Sequence, residues 1–233
     1  MSAWLTPDEW GIVALSLKVS VVAVVATLPL SYALAWVLAR RRFPGVILLD
    51  ALVHLPLVVP PVVTGWLLLL LFGRNGPIGG WLEAQFGITL VFRWTGAALA
   101  AAVMALPLMV RAMRLSIEAV DRRLVDAART LGASRWRAFL TITLPLSAPG
   151  IAAAAMLGFA RSLGEFGATI TFASNIAGQT RTLPLAIYSG LQVPGGEALV
   201  TRLSLISIAL SLAALVVSEL LVRRSAGSRA HVL

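Results

Sequence analysis

A chain of 233 residues that is 59% hydrophobic and 12% charged, with a mean hydropathy of +0.91, has too little polar surface for a water-soluble domain and reads as an integral membrane protein. Its net charge of +9 suits cytoplasmic loops and anionic lipid headgroups, so membrane lipid is an expected partner and nucleic acid is not. With no cysteine, disulfides and thiolate chemistry are excluded.

The first ten residues carry Asp8 and Glu9 but no lysine or arginine. They lack the basic start of a cleaved signal peptide, so the apolar stretch after them is expected to stay in the bilayer as a helix. About 20 apolar residues in a helix cross the hydrocarbon. Five stretches qualify, at roughly 11 to 39, 46 to 72, 95 to 117, 149 to 172 and 200 to 222. The predicted fold is all-α, a polytopic transmembrane helical bundle of five spans.

In the first span Lys18 is expected to snorkel to the outer surface. Prolines recur at Pro29 in the first span, Pro56, Pro60 and Pro61 in the second, and Pro107 in the third. Each removes a backbone donor and bends its helix, and broken helices are tolerated in a membrane where they line a cavity or pack on neighbours. That pattern fits a transporter better than a simple anchor. Asp50 and His54, four apart, form a candidate interfacial pair. GRNGPIGG (residues 73 to 80) and VPGG (193 to 196) read as turns, and TLPLAIYSGL (182 to 191) as a short amphipathic segment at the outer surface.

Arginine placement sets the orientation. Arg40, Arg41 and Arg42 follow the first span, and Arg111, Arg114, Arg122, Arg123, Arg129, Arg135 and Arg137 surround the second turnaround. Arg223, Arg224 and Arg229 follow the last span, whereas Arg74, Arg93, Arg181 and Arg202 fall on the opposite side. The positive-inside rule puts the N-terminus outside and the C-terminus in the cytoplasm.

The long inner connection contains DAARTLGASRWRAFLTITLP, from Asp126 to Pro145. Helix formers run from Arg122 to Leu131, with small Ala127 and Ala128 leaving room for close approach. Gly132 supplies the positive φ of a sharp turn, and Ser134 can cap a second helix. In that helix Trp136 and Phe139 are expected to face inward and Arg135 and Arg137 outward, until Pro145 breaks it. A helix lying at the headgroups, held by Trp136 and the arginines, is the plainer alternative.

The spacing of this stretch resembles the EAA loop of membrane subunits of bacterial ABC importers. That pattern is Glu-Ala-Ala, three residues, Gly, nine residues, Ile, one residue, Leu-Pro, and it stands here as Asp126, Ala127, Ala128, Gly132, Ile142, Leu144 and Pro145. Aspartate replaces glutamate, which keeps the charge and shortens the reach. The resemblance extends over LARRRFPG (38 to 45), the stretches 54 to 79 and 161 to 198, and the chain length, and is nearest to molybdate permease subunits. Sulfate and tungstate permeases are related, and their substrates are tetrahedral dianions of similar size.

This resemblance implies a type I ABC importer permease domain over 11–222, with the coupling loop at 118–148 and a cytoplasmic tail at 223–233. It implies a bacterial inner-membrane protein working as two copies, with two copies of a cytoplasmic ABC ATPase and an external oxyanion-binding protein. ATP and Mg would be bound by the ATPase, and no cofactor or metal is expected in this chain.

RSLGEFGAT, from Arg161 to Thr169, places Arg161 and Glu165 on one face of an expected helix, with Gly158, Gly164 and Gly167 allowing close approach. A charge in hydrocarbon must be paired or wet. Arg161, Glu165 and Thr169 are therefore either part of a translocation route or a structural ion pair with its neighbour. No phosphate-loop lysine motif occurs, the histidines are only His54 and His231, and no nucleophile elbow is present, so an enzyme is not expected. An ion-driven secondary transporter is the serious rival, and the scarcity of embedded carboxylates counts against it.

Overall fold

The computed structural model describes residues 5–41 and 43–230, with side chains as far as Leu220. Arg42, His231 and the side chains of Arg223, Arg224 and Arg229 lie outside the described residues. The described chain is helical: α1 (Pro7–Arg40), α2 (Val46–Val58), α3 (Pro61–Phe72), α4 (Pro77–Phe86), α5 (Trp94–Glu118), α6 (Arg122–Thr130) and α7 (Arg135–Ala138). A π-helical turn, Phe139–Thr143, leads into α8 (Leu144–Leu163), followed by α9 (Gly167–Phe172), α10 (Leu183–Leu191) and α11 (Glu197–Ala230). Among the described residues, four helices are long and apolar enough to cross a membrane, or five crossings if the bent α2–α3 pair is one.

Helix α1 begins in a capping box. The Thr6 hydroxyl accepts from the Glu9 amide, and the Glu9 carboxylate accepts from the Thr6 amide at 2.7 Å. The same carboxylate, almost wholly buried, pairs with Arg202 of α11 at 2.5 Å. One acid thus caps the first span and ties it to the last. Pro29 and Pro107 sit inside continuous helices, so neither divides its span.

The second span behaves differently. Its halves meet at 115°, far sharper than an ordinary proline kink. The cause is local: Val59 and Pro60 each precede a proline, which disfavours helical ψ, and they take ψ of 137° and 134°. Of the expected outer turns, residues 193 to 196 form one, the Gly196 amide donating to the Val193 carbonyl at 3.1 Å, while the 73 to 80 segment turns and then enters α4 at Pro77. The 182 to 191 segment, expected as a short amphipathic segment at the outer surface, forms α10. However, α10 buries Leu183, Leu185 and Ala186, and the Leu183 amide donates to Ser16 Oγ at 2.7 Å, so the helix is packed into the bundle.

Helix α5 occupies the middle, between α1 and α8. It buries Ala97, Ala98, Ala100, Ala101 and Ala105 together with Met104, Met109 and Met113. Helices gain little from hydrophobic exclusion in lipid, so small residues that let backbones approach and flexible methionines that fill the gaps supply the packing. Gly158 of α8 works this way, since a Cβ there would stand 2.6 Å from Met109 Sδ.

At the α3–α9 crossing, a Cβ on Gly65 would meet the Ala168 carbonyl oxygen and Thr171 Cβ, each at 2.7 Å, and the backbone oxygen cannot swing away. Gly11 of α1 has nothing within 4 Å of its Cβ position. Gly65→Ala is expected to destabilise the protein by roughly 1–3 kcal/mol through overpacking. Gly11→Ala should be neutral or slightly stabilising through helix propensity. Thermal unfolding of the two detergent-solubilised variants checks this.

Candidate functional site

Residues 118 to 148 form a projecting helix–turn–helix. The Asp121 side chain caps α6 by accepting from the Arg123 amide at 2.9 Å. At the other end the Ala133 amide bonds the Ala128 carbonyl at 3.0 Å and the Gly132 amide bonds Arg129 at 3.1 Å, with φ of +88° at Gly132. This is a Schellman ending, and it requires the left-handed residue that glycine supplies. Ser134 then caps α7, accepting from the Arg137 amide at 3.1 Å. The Gly132 turn and the Ser134 cap were expected from the sequence, and the Asp121 cap was not.

Two expectations for the second helix fail. Trp136 does not face inward: it is 68% exposed and stacks on Phe139, ring centres 5.3 Å apart, while Phe139 itself is half-buried against Tyr32 and Trp36 of α1. Pro145 does not break the helix. The preceding turn widens to the π form, the Leu144 amide reaching back to Phe139, and the chain runs on from Arg135 to Leu163. The proline has no amide to lose there, and the widened turn accommodates its ring.

The motif residues thus divide between two places. Asp126, Ala127 and Gly132 are exposed on the knob and Ala128 is half-buried, whereas Ile142 and Leu144 are half-buried at the foot of α8, with Pro145 exposed beside them. Helix α6 buries no residue at all, and Leu131 at its end is 88% exposed. Among the described residues, no side chain of α6 is buried by the rest of the chain.

The Arg161–Glu165 pair forms, at 2.6 Å, but not along one helix as expected. Helix α8 ends at Leu163, and Glu165 lies in the break before α9. Its side chain is 2% exposed, with one oxygen on Arg161 and the other accepting from the Ala168 amide at 2.9 Å. Arg161 and Glu165 border a cavity of about 360 Å³ shared with Pro61 and Val62, where the second span is broken. Thr169 is buried and does not line it. Gly167 approaches Pro61 closely, whereas Gly164 has no near neighbour across a helix contact.

Elsewhere, Lys18 is exposed, and its ammonium sits 3.7 Å from the centre of the Trp94 ring in a cation–π contact. Asp50 and His54 pair at 3.2 Å and are joined by Arg114, which also holds Glu118 at 2.9 Å. Sequence spacing alone pointed to the first pair but not to Arg114, which comes from another helix. The Glu9–Arg202 pair was equally out of reach, its members being 193 positions apart.

Comparison with known proteins agrees with this architecture. The chain is 60% identical over 221 residues to the Escherichia coli K12 molybdenum transport system permease protein ModB, covering 95% of this chain and 96% of that protein. It is 56% identical over 216 residues to the Haemophilus influenzae protein of the same name, covering 93% and 94%. A crystal structure of a bacterial ABC transporter involved in import of the acidic polysaccharide alginate shares the fold, with a TM-score of 0.73 at 17% identity over 94% of this chain and 80% of that one. The family model for the binding-protein-dependent transport system inner membrane component matches residues 20–227, and the chain belongs to that family of transport subunits.

Proposed function

We propose that this chain is the membrane-spanning permease subunit of an ATP-driven importer that carries molybdate into the bacterial cell. The observation that carries the reading is α6, a nine-residue helix that buries nothing and bears the front half of the motif. Helices this short gain their stability from packing, so a capped one without packing in its own chain is suited to a partner. The 60% identity to a protein named for molybdenum transport supports the substrate, and tungstate or sulfate is the alternative cargo.

In this reading the domain spans 11–222, the coupling loop 118–148 and a cytoplasmic tail 223–233. The bent α2–α3 pair counts as one of five spans, the N-terminus is outside, and the arginine-rich side faces the cytoplasm of a cell whose inner membrane holds the protein. Two copies pack around a shared path, because one five-span chain is small for a gated conduit. Each offers its knob, from Asp126 through Gly132, to one of two ATPase subunits. The foot at Ile142, Leu144 and Pro145 passes the motion into α8. ATP and Mg bind to the ATPase, whose closure opens the path outward to a loaded oxyanion-binding protein, and hydrolysis resets it. Arg161 and Glu165, beside Thr169, act as a structural clamp holding the α8–α9 break. A fixed, tight anion site there would hinder release.

The chain has no cysteine, so single replacements report sidedness directly. Ser134→Cys in intact cells should resist a membrane-impermeant maleimide, whereas Asn75→Cys, exposed between α3 and α4, should react; the reverse pattern overturns the orientation.

A Cβ at Gly132 meets open space, so Gly132→Val strains only the turn. Molybdate uptake should fall about tenfold or more with membrane insertion intact, and Gly132→Asn, which tolerates positive φ, should restore most of it. Unchanged uptake in the valine variant refutes the coupling role. For the clamp, Glu165→Gln should destabilise the complex more than the Arg161→Gln/Glu165→Gln double variant does, because it leaves a cation unpaired in hydrocarbon. A double variant of full stability that carries no molybdate instead makes the pair part of the path.

A further inference from the structure

Between the second half of α1 and the knob lies a cavity of about 870 Å³ to which the proposed coupling role assigns no occupant. Its mouth gathers arginines from three elements: Arg40 and Arg41 at the end of α1, Arg122 and Arg129 on α6, and Arg135 on α7. The one acid on the lining is Asp126, which makes no ion pair. Arg40 donates to the Ile117 and Val120 carbonyls and Arg41 lies over Trp36, so both are held in place with their charge uncompensated. Among the described residues Arg122, Arg129 and Arg135 form no ion pair, although Arg122 also borders a neighbouring cavity with Asp50 and Glu118.

Away from this mouth the lining becomes apolar, through Trp36, Phe139, Ala33 and Tyr32 to Pro29. Pro29 lies 11 residues before Arg40. At about 1.5 Å per residue that is about 16 Å along the helix axis, close to half of a bilayer core about 30 Å thick. A small oxyanion could occupy the mouth but leaves the apolar part unfilled. An extended segment of a soluble protein would carry unpaired backbone amides into that part, which hydrocarbon depth forbids. A molecule with an anionic head and a hydrocarbon tail matches both ends.

We propose that this cavity is a binding site for one anionic phospholipid of the inner leaflet, its phosphate held by Arg122, Arg129 and Arg135 and an acyl chain lying along Tyr32 and Ala33 toward Pro29. The lipid joins α1 to the knob across a gap that the aromatic contacts of Phe139 bridge only in part. It makes the seating of the ATPase-facing surface depend on headgroup charge. The site rests on the inward orientation proposed above, but its test reads lipid rather than transport.

The permease is purified together with its ATPase partner, exchanged into mixed micelles of phosphatidylglycerol and phosphatidylcholine, and analysed by native mass spectrometry. Phosphatidylglycerol should be retained over phosphatidylcholine by about tenfold or more. Ala33→Trp, which fills the slot on α1, should remove that preference while the ATPase stays bound, and R122Q/R129Q/R135Q should remove it at the mouth. Equal retention of the two lipids by the wild-type complex overturns the proposal without any variant. So does an Ala33→Trp complex that keeps the preference, or release of the lipid by millimolar inorganic phosphate or molybdate, which would mark a free-anion site. Loss of the ATPase from the triple arginine variant with lipid retention unchanged would assign the arginines to a protein contact and equally overturn it.

Discussion

Hydrocarbon offers no hydrogen-bond partners, so a helix can be interrupted inside a membrane only where the chain itself satisfies the freed groups. The bundle is organised around that constraint. The second span is broken where two prolines have no amides to satisfy. The break between α8 and α9 is closed by the Glu165 carboxylate, which takes the Ala168 amide while Arg161 neutralises it. The two breaks adjoin, since Arg161 and Glu165 share a cavity with Pro61 and Val62. Irregular backbone is thereby collected in one place, and α1 and α5 remain continuous supports.

The same logic separates the supporting elements from the moving ones. The α1–α5–α8 core is close-packed on alanine, glycine and methionine, which gives it few alternative arrangements. The knob is the opposite case. It is defined almost wholly by local bonds, the Asp121 and Ser134 caps and the Gly132 turn, and rests on the bundle through Phe139 and the foot of α8. Such a unit has its shape set locally, which the proposed coupling role requires. A π turn joins it without interruption to α8, which ends at the α8–α9 break.

Much of this was legible in the sequence, for different reasons in different parts. The spans at 11 to 39 and 95 to 117 lie within the ends of α1 and α5 because a long apolar run has only one way to satisfy its backbone in lipid. The turn at Gly132 was legible because its bonds connect residues no more than five apart. The facing of Trp136 was not. Inward and outward depend on where α1 stands, and α1 lies about a hundred positions earlier in the chain. The prolines announced a bend at Val59–Pro60, but its 115° angle is also fixed by where α3 lands on α9, with Gly65 against Ala168.

The amino-acid sequence by itself determined the membrane class, the helical spans, the caps and the motif-bearing turn. Those follow from composition and from interactions between near neighbours, which any window of the chain displays. Tertiary structure alone decided that Glu9 meets Arg202, that Arg114 joins Asp50, that Lys18 lies on Trp94, and that arginines of α1, α6 and α7 surround one cavity. These pairings join residues on different helices. They depend on crossing angles and helix rotation set by close packing of small side chains, and no local periodicity encodes those quantities.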